Sequence, residues 1–374
     1  MRSTPRWIPY LRGKPVRPRT AIVPASLVAI LITSAGLMYV RWFLLGRFRL
    51  TSETWGLFLP ELFLAPLGHR PGRGHARLPP SATARVWPLR PIVTGHNTSV
   101  KVYVSVDLEG VAGIVDWEQC LAGGDDYALG RELLLGEVNA AIDGALAAGA
   151  TAILVNDSHS TMRNLRPDAL HGGAQYLSGR FKPRYMMQGL DGSFDACLFL
   201  GYHAAIATPG VLSHTYNPRA IAGARLGGIT TGEAGLNALV AQHFGVPVAV
   251  ITGDQYVGPE AAPFCPGLVH VPVKESVSRY AARHLHPDEA RKAIGTAVHA
   301  ALSTVDKLRP PNIALPATLE VDLANPDMAE QATWLRGVSR VDNRTVTVTD
   351  DDPLRLFGTF VTLVYLTRSL VEAH

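Results

Sequence analysis

The sequence is poor in cysteine. Cys120, Cys197 and Cys265 are the only three among 374 residues, and none stands in a C-x-x-C spacing. Such a small and scattered set excludes a disulfide framework and a cysteine zinc cluster. Cys197 lies in the apolar run ACLFL at 196–200, so we predict a buried thiol that packs like a small hydrophobic side chain.

Acidic residues are scarce in the first quarter of the chain. Residues 1–98 carry 14 Lys and Arg against only Glu53 and Glu61, whereas residues 99–374 carry 21 against 29 Asp and Glu. The isoelectric point of about 9.0 therefore describes the leader, and the rest of the chain gives no reason to expect nucleic-acid binding. The sequence also lacks a G-x-x-x-x-G-K-[ST] phosphate-binding loop.

One long uncharged run occurs, AIVPASLVAILITSAGLMYV at 21–40. A run of this length can cross a hydrocarbon core of about 30 Å as a helix. We therefore interpret residues 1–98 as a basic N-terminal extension with a possible transmembrane segment. Residues 69–98 are rich in Arg and Pro and have no acid, which is typical of a linker. A membrane anchor, a cleaved export signal and an extension outside the functional protein are all compatible with this pattern.

From Ser99 onward, short apolar runs alternate with helical patterns. The runs are rich in β-branched or aromatic residues and are bounded by loop residues, as in buried parallel strands. The predicted elements are strands at 102–106, 152–155, 196–200 and 246–251 and helices at 130–148 and 233–243. This order predicts an α/β fold with a mainly parallel sheet and flanking helices.

The last part of the chain predicts a second, smaller unit. A proline-rich stretch near residue 310 precedes an apolar run at 345–349 and a helical pattern at 353–371. These elements are expected to form a smaller C-terminal α/β subdomain.

Polar side chains follow the predicted strands at the points where the strands end. Asp107 and Glu109 close the first strand in the motif D-L-E-G, and because they are two residues apart their carboxylates share one face. His159 follows the second strand, His203 follows the third, and Glu233 opens a predicted helix. Ligands of parallel sheets bind beyond the carboxyl ends of the strands, so we expect these five side chains to converge.

Imidazole and carboxylate groups are zinc ligands at about 2.0–2.2 Å. Five ligands exceed one tetrahedral site and suit two metal ions about 3.5–4 Å apart that share a carboxylate and a hydroxide. Asp107, the first residue after its strand, is the predicted bridge. Taken singly, an Asp or Asn after a strand more often makes a turn or caps a helix, as we expect for Asn156 and Asp157. A lone histidine is more often a hydrogen-bonded core residue.

Several motifs resemble those of the D-aminopeptidase family typified by the bacterial dipeptide-operon enzyme, the M55 metallopeptidases. The resemblance extends from about residue 99 to 374. It therefore divides the chain into the extension 1–98 and an M55-like metallopeptidase domain with a possible subdomain boundary near 310. The matching stretches are VSVDLEG at 104–110, LVNDSHS at 154–160, LFLGYHA at 198–204, TPGVLSH at 208–214 and GEAGLNA at 232–238.

The resemblance implies a binuclear zinc aminopeptidase with two Zn²⁺ per chain. Its substrates would be short peptides with N-terminal D-amino acids, such as D-Ala-D-Ala, hydrolysed by a metal-activated hydroxide. It also implies that Asp107 bridges both ions, that Glu109 and His203 complete one site, and that His159 and Glu233 complete the other. Family members form ring-shaped decamers, so the resemblance further implies a homo-oligomer, with a cytoplasmic catalytic domain.

His214 matches the residue to which the family assigns the catalytic role, either as a proton shuttle or as a nucleophile. Two other interpretations remain open at this point. One is a binuclear hydrolase of another amide or of a phosphoester, for which Arg163 and Arg219 are the nearest cations, although we interpret both as surface residues. The other is a non-catalytic peptide-binding accessory protein of transport, suggested by the possible membrane span.

Overall fold

A computed structural model describes residues 99–371 as thirteen strands and six α-helices. The strands are β1 Val100–Val106, β2 Ala150–Asp157, β3 Gln175–Leu177, β4 Ala196–Leu200, β5 Ile221–Leu226, β6 Ile229–Thr230, β7 Val248–Gly253, β8 Val269–Pro272, β9 Lys274–Ser278, β10 Ala281–His284, β11 Ala317–Leu323, β12 Ser339–Arg340 and β13 Thr345–Asp350. The helices are α1 Tyr127–Ala147, α2 Glu233–Phe244, α3 Val257–Ala261, α4 Pro287–Leu302, α5 Pro326–Ala332 and α6 Pro353–Thr367.

The predicted extension 1–98, with its possible membrane span at 21–40, lies outside the described residues and stays a prediction. Among residues 99–371, no helix is both long enough and apolar enough to cross a membrane.

The central sheet has six strands in the order β3-β2-β1-β4-β7-β8. All neighbouring strands in it are parallel. This confirms the predicted α/β fold with a mainly parallel sheet. The most important feature for function is that β1 lies between β2 and β4, because the loops that follow these three strands then open at one edge of the sheet.

Alternate residues of β1 enter two different cores. Val102, Val104 and Val106 pack on one face with α1 and α4, whereas Tyr103 packs on the other face with α2 and α6. This is the period-two alternation of a strand covered on both sides. On the first face α1 and α4 approach so closely that an added Cβ at Gly144 would lie 2.4 Å from the carbonyl oxygen of Gly295.

A second sheet is antiparallel, with the strand order β12-β13-β11-β5-β6. The predicted run at 345–349 is its strand β13, and the helix predicted at 353–371 is α6, which ends at Thr367. Two of its five strands, β5 and β6, come from before residue 310. The sequence of β5, IAGARL, contains Gly and Ala, which are poor strand formers, and it forms a strand by pairing with β11 and β6.

Candidate metal centre

The loops after three neighbouring strands bring the predicted ligands together. Asp107 follows β1, His159 follows β2 and His203 follows β4, so Asp107 lies between the two histidines. Its Oδ1 is 3.2 Å from Nδ1 of His159 and its Oδ2 is 3.4 Å from Nε2 of His203. All three side chains are buried. The predicted convergence at the carboxyl edge of the sheet is therefore present.

Two glutamates complete two groups of possible ligands. Glu109 Oε2 lies 3.0 Å from Nδ1 of His159, and Glu233 Oε1 lies 3.4 Å from Nε2 of His203. One group is Asp107, Glu109 and His159, the other is Asp107, His203 and Glu233, and in each the donor atoms lie within 4.8 Å of one another. Asp107 is the residue that both groups share.

The division of ligands that the family resemblance implies stays a prediction. Glu109 was expected to share an ion with His203, and His159 with Glu233. Glu109 and His203 share one possible group, which includes His214, and Glu109 Oε2 also lies close to His159; His159 and Glu233 share none of the groups found in residues 99–371. β2 brings His159 to one side of β1, while β4 brings His203 to the other side, where α2 begins with Glu233.

Two glycines allow the loops to meet. The amide of Gly110 donates to the carbonyl of Gly201 at 2.8 Å. An added Cβ at Gly110 would lie 1.9 Å from the carbonyl oxygen of Tyr202, and one at Gly201 would lie 2.3 Å from that of Asp107. Gly201 also has a φ of 69°, which favours glycine. The motifs D-L-E-G and L-G-Y-H therefore need their glycines for the close approach of two ligand-bearing loops.

Backbone carbonyls fix the orientation of each histidine. His159 Nε2 lies 2.9 Å from the carbonyl of Cys120, and His203 Nδ1 lies 3.0 Å from that of Ala204. A carbonyl only accepts hydrogen bonds, so these ring nitrogens donate, and the opposite nitrogen of each neutral ring presents its lone pair to the carboxylates. This back-bonding is the usual arrangement of histidines that bind metals. It could not be read from the sequence, since the acceptors are main-chain atoms.

His214 lies in the loop between β4 and β5, above the two groups. Its ring stacks on that of His203 with centroids 4.0 Å apart and contacts the edge of Trp117 at 5.3 Å. Nδ1 donates to the carbonyl of Leu212 at 2.9 Å. Nε2 lies 3.9 Å from Glu109 Oε1 and 3.8 Å from Glu233 Oε1, farther than the other histidines lie from their nearest carboxylates. His214 also forms a possible third group with Glu109 and His203.

The burial of several ionisable side chains close together shifts their pKa values. Burial and then the charge of Glu109 raise the pKa of Asp107 to about 8. Burial opposes protonation of His203, but the negative charges of Glu233, Glu109 and Asp107 together outweigh it, and the pKa of His203 rises to about 10. Burial lowers the pKa of His214 to about 4, and neighbouring His203 adds to this effect. The carboxylates thus need positive charge beside them, from protons or from a metal ion.

The orphaned atoms of the site fit a metal ion. Asp107 Oδ2 and His203 Nε2 face each other, and neither has a hydrogen-bond partner in the part of the chain that the structure describes. When the back-bonded imidazole is neutral, it turns a lone pair toward an anionic oxygen, an unfavourable contact unless a cation lies between them. Carboxylate oxygen with imidazole nitrogen is a donor set that zinc accepts.

Asn156 and Asp157, which we expected to make a turn or cap a helix, are the last two residues of β2. The carboxylate of Asp157 accepts from the amide of Leu165 at 2.9 Å and from the hydroxyl of Tyr176 at 2.7 Å. Neither residue belongs to a metal-capable group among residues 99–371. The predicted burial of Cys197 is also confirmed.

A residue that the sequence did not single out, Lys274, supports the first ligand loop. Its buried Nζ donates to the carbonyls of Glu109, Val111 and Ile114 at 2.5, 2.9 and 2.8 Å. The ammonium group of Lys274 therefore stabilises the conformation of the loop that follows β1.

The ligand groups lie at the bottom of a cavity of about 790 Å³. Asp107, Glu109, His159, His214 and Glu233 line it. We call these five residues the floor of the cavity. Its volume is within the range of pockets that hold small organic ligands.

Comparison with known proteins agrees with this geometry. Residues 100–362 match the peptidase M55 family, described as D-aminopeptidase. The chain is 38% identical over 252 residues to a D-aminopeptidase of Bacillus subtilis (strain 168), a match that covers 67% of this chain and 90% of the relative. It also resembles the solved structure of the Zn-dependent D-aminopeptidase DppA from Bacillus subtilis, a self-compartmentalizing protease. That match has a TM-score of 0.68 and 35% identity, and it covers 71% of this chain and 97% of the other.

Proposed function

The chain belongs to the M55 family of D-aminopeptidases, and from this we propose that it is a binuclear zinc aminopeptidase for short peptides with an N-terminal D-amino acid, such as D-Ala-D-Ala. The observation that carries the proposal is the sharing of Asp107 by two donor groups on opposite sides of β1. Asp107 would bridge the two ions, with Glu109 and His203 completing one site and His159 and Glu233 the other, as the family resemblance implies.

Bound zinc would polarise the scissile carbonyl and make a water molecule acidic enough to act as a nucleophile near neutral pH. His214 is the proposed catalytic residue. Its Nδ1 is occupied by the carbonyl of Leu212, so the lone pair of Nε2 faces the cavity and can accept a proton and pass it to the leaving amine. The amide of Tyr216 donates to Glu233 Oε1 at 2.7 Å, which ties the His214 loop to a ligand.

Zinc content and stereospecificity test this function together. The full-length protein, purified and loaded with zinc, should hold two ions per chain and hydrolyse D-Ala-D-Ala roughly 10²-fold or more faster than L-Ala-L-Ala. A protein that binds no divalent metal, or that prefers the L-peptide, would contradict the proposal. Turnover of bis(p-nitrophenyl) phosphate without peptide hydrolysis would instead identify a phosphoesterase.

The solved relative is described as self-compartmentalizing, and we propose that this chain also forms a homo-oligomer, as a ring decamer. Large apolar side chains on its surface, Trp334 and Val277, are 80% and 75% exposed and suit contacts between copies. Light scattering of the purified protein gives the mass directly. A monomeric mass at micromolar concentration would contradict an oligomer.

We further propose that residues 1–98 form an extension separate from a cytoplasmic catalytic domain, with membrane anchoring through 21–40 as the open alternative. The family match begins only at residue 100. Mass spectrometry of the mature N-terminus, together with membrane fractionation, distinguishes an anchor from a cleaved segment. A mature chain that retains 21–40 and sediments with membranes would support the anchor.

A further inference from the structure

Four arginines line the same cavity as the floor: Arg180, Arg219, Arg279 and Arg368. They come from four separate segments of the sequence, and only the fold brings them to one place. We call these four residues the rim. Arg163 and Arg219 are both exposed, as expected of surface residues, but Arg219 also lines the cavity and Arg163 does not.

The rim arginines have no acidic partner between residues 99 and 371. Arginines elsewhere in that range do form ion pairs, for example Arg225 with Asp322 at 2.7 Å and Arg355 with Asp350 at 2.6 Å. Four guanidinium groups around one cavity repel one another when nothing neutralises them. The arrangement is therefore suited to a ligand that brings its own negative charge.

Two of these side chains are held in place. Arg368 donates to the hydroxyl of Tyr185 at 3.0 Å and lies 4.7 Å from the ring centroid of Tyr365. Arg279 stands at the tip of the β9–β10 hairpin, and its carbonyl accepts from the amide of Leu212 at 2.9 Å, two residues before His214. The Nε of Arg279 is buried and has no hydrogen-bond partner among the described residues.

We infer that the rim binds the C-terminal carboxylate of the peptide substrate, with Arg279 and Arg368 as its principal contacts. This inference rests on the proposed aminopeptidase function. A dipeptide or tripeptide carries its free carboxylate only one or two residues beyond the scissile bond, at about 3.3–3.6 Å per residue. A planar guanidinium can hold that carboxylate through two parallel hydrogen bonds. The rim therefore selects peptides that are short enough for their carboxylate to reach it.

A matched pair of substrates tests the inference on the zinc-loaded, full-length protein. D-Ala-D-Ala and its C-terminal amide differ only in the charge that the rim would recognise. The wild type should prefer the acid by about 10–100-fold in kcat/KM, because a hydrogen bond to a charged group is lost in the amide. R279A and R368A should each reduce this preference mainly by raising KM for the acid, and R279K should restore part of it.

The control is R283A, which removes an exposed arginine from the same hairpin that pairs with Glu275 outside the cavity. It should leave the preference unchanged. Zinc content of every variant reports whether the floor is intact.

Three results would overturn the inference. Equal kcat/KM for acid and amide in the wild type would do so while leaving the aminopeptidase function standing. An unchanged preference for the acid in zinc-loaded R279A and R368A would also overturn the inference. If the oligomeric mass of these variants changes while the preference does not, the arginines serve contacts between copies of the chain. If the zinc-loaded wild type hydrolyses no D-peptide, the proposed function itself fails and the inference falls with it.

Discussion

The floor and the rim of the cavity differ in both charge and attachment. The floor is buried and is held by backbone carbonyls and by loops that leave the central sheet, as at His159 and His214. The rim consists of half-exposed or exposed arginines on peripheral segments. Fixed geometry suits groups that bind metal or move protons, whereas long cationic side chains at the mouth suit recognition of substrate charge. We therefore assign the proposed hydrolysis to the floor and the proposed selection of short peptides to the rim.

The largest effect is expected from Asp107→Asn, which removes a charge that both ligand groups share. Zinc should fall from two ions to fewer than one per chain, and kcat/KM should fall by about 10³-fold or more, corresponding to about 4 kcal/mol. Metal analysis and kinetics on the same sample measure both.

The control is Asp143→Asn on α1, which changes an exposed carboxylate paired with His171. It should leave zinc and turnover unaltered. Two zinc ions retained in the Asp107 variant would show that Asp107 is not the bridge.

His214→Ala should separate catalysis from metal binding within the floor. We expect kcat to fall by about 10²–10⁴-fold because the proposed proton acceptor is missing, while two zinc ions remain bound. His299→Ala on α4 provides a matched histidine outside the floor. Loss of one zinc ion from the His214 variant would instead make His214 a ligand through its group with Glu109 and His203.

The smallest predicted effect is on stability and involves Lys182. This cation is buried, whereas the rim arginines are exposed or half-exposed. Its Nζ donates to Asn156 Oδ1 at 2.6 Å and to the carbonyls of Asp157 and Leu177 at 2.6 and 3.1 Å. Burial nevertheless lowers its pKa from 10.5 to about 8. Between these two values the unfolded chain binds more protons than the folded one, so the Lys182 contribution to the free energy of unfolding rises with pH.

Denaturant titrations of the wild type and Lys182→Met at pH 7.5 and 10.5 measure this contribution, since the difference between the two proteins cancels other titrating groups. We expect the wild type to gain about 1–2 kcal/mol relative to the variant, a shift reduced by partial solvent screening. Lys292→Met, at an exposed site on α4, should show no such gain. A relative loss with rising pH would contradict the direction of the shift.

The sequence by itself determined the fold class and singled out the residues of the floor, whereas strand bounds were shifted by two residues at β2 and β7. Apolar runs such as ACLFL at 196–200 mark β4 without error at either end, because a strand buried on both faces needs continuous hydrophobic residues. Polar motifs that follow such runs fall at one edge of the sheet, which is why five candidate ligands could be named before their positions were known; the role of His214 came from the family resemblance.

Only the tertiary structure decided how these residues are grouped. The strand order β2-β1-β4 placed His159 and His203 on opposite sides of Asp107, an arrangement made by long-range pairing that no local pattern encodes. Histidine orientation depends on main-chain acceptors, which every residue possesses. The rim depends on four arginines that are distant in sequence and ordinary in their local context, so their shared cavity exists only after the chain has folded.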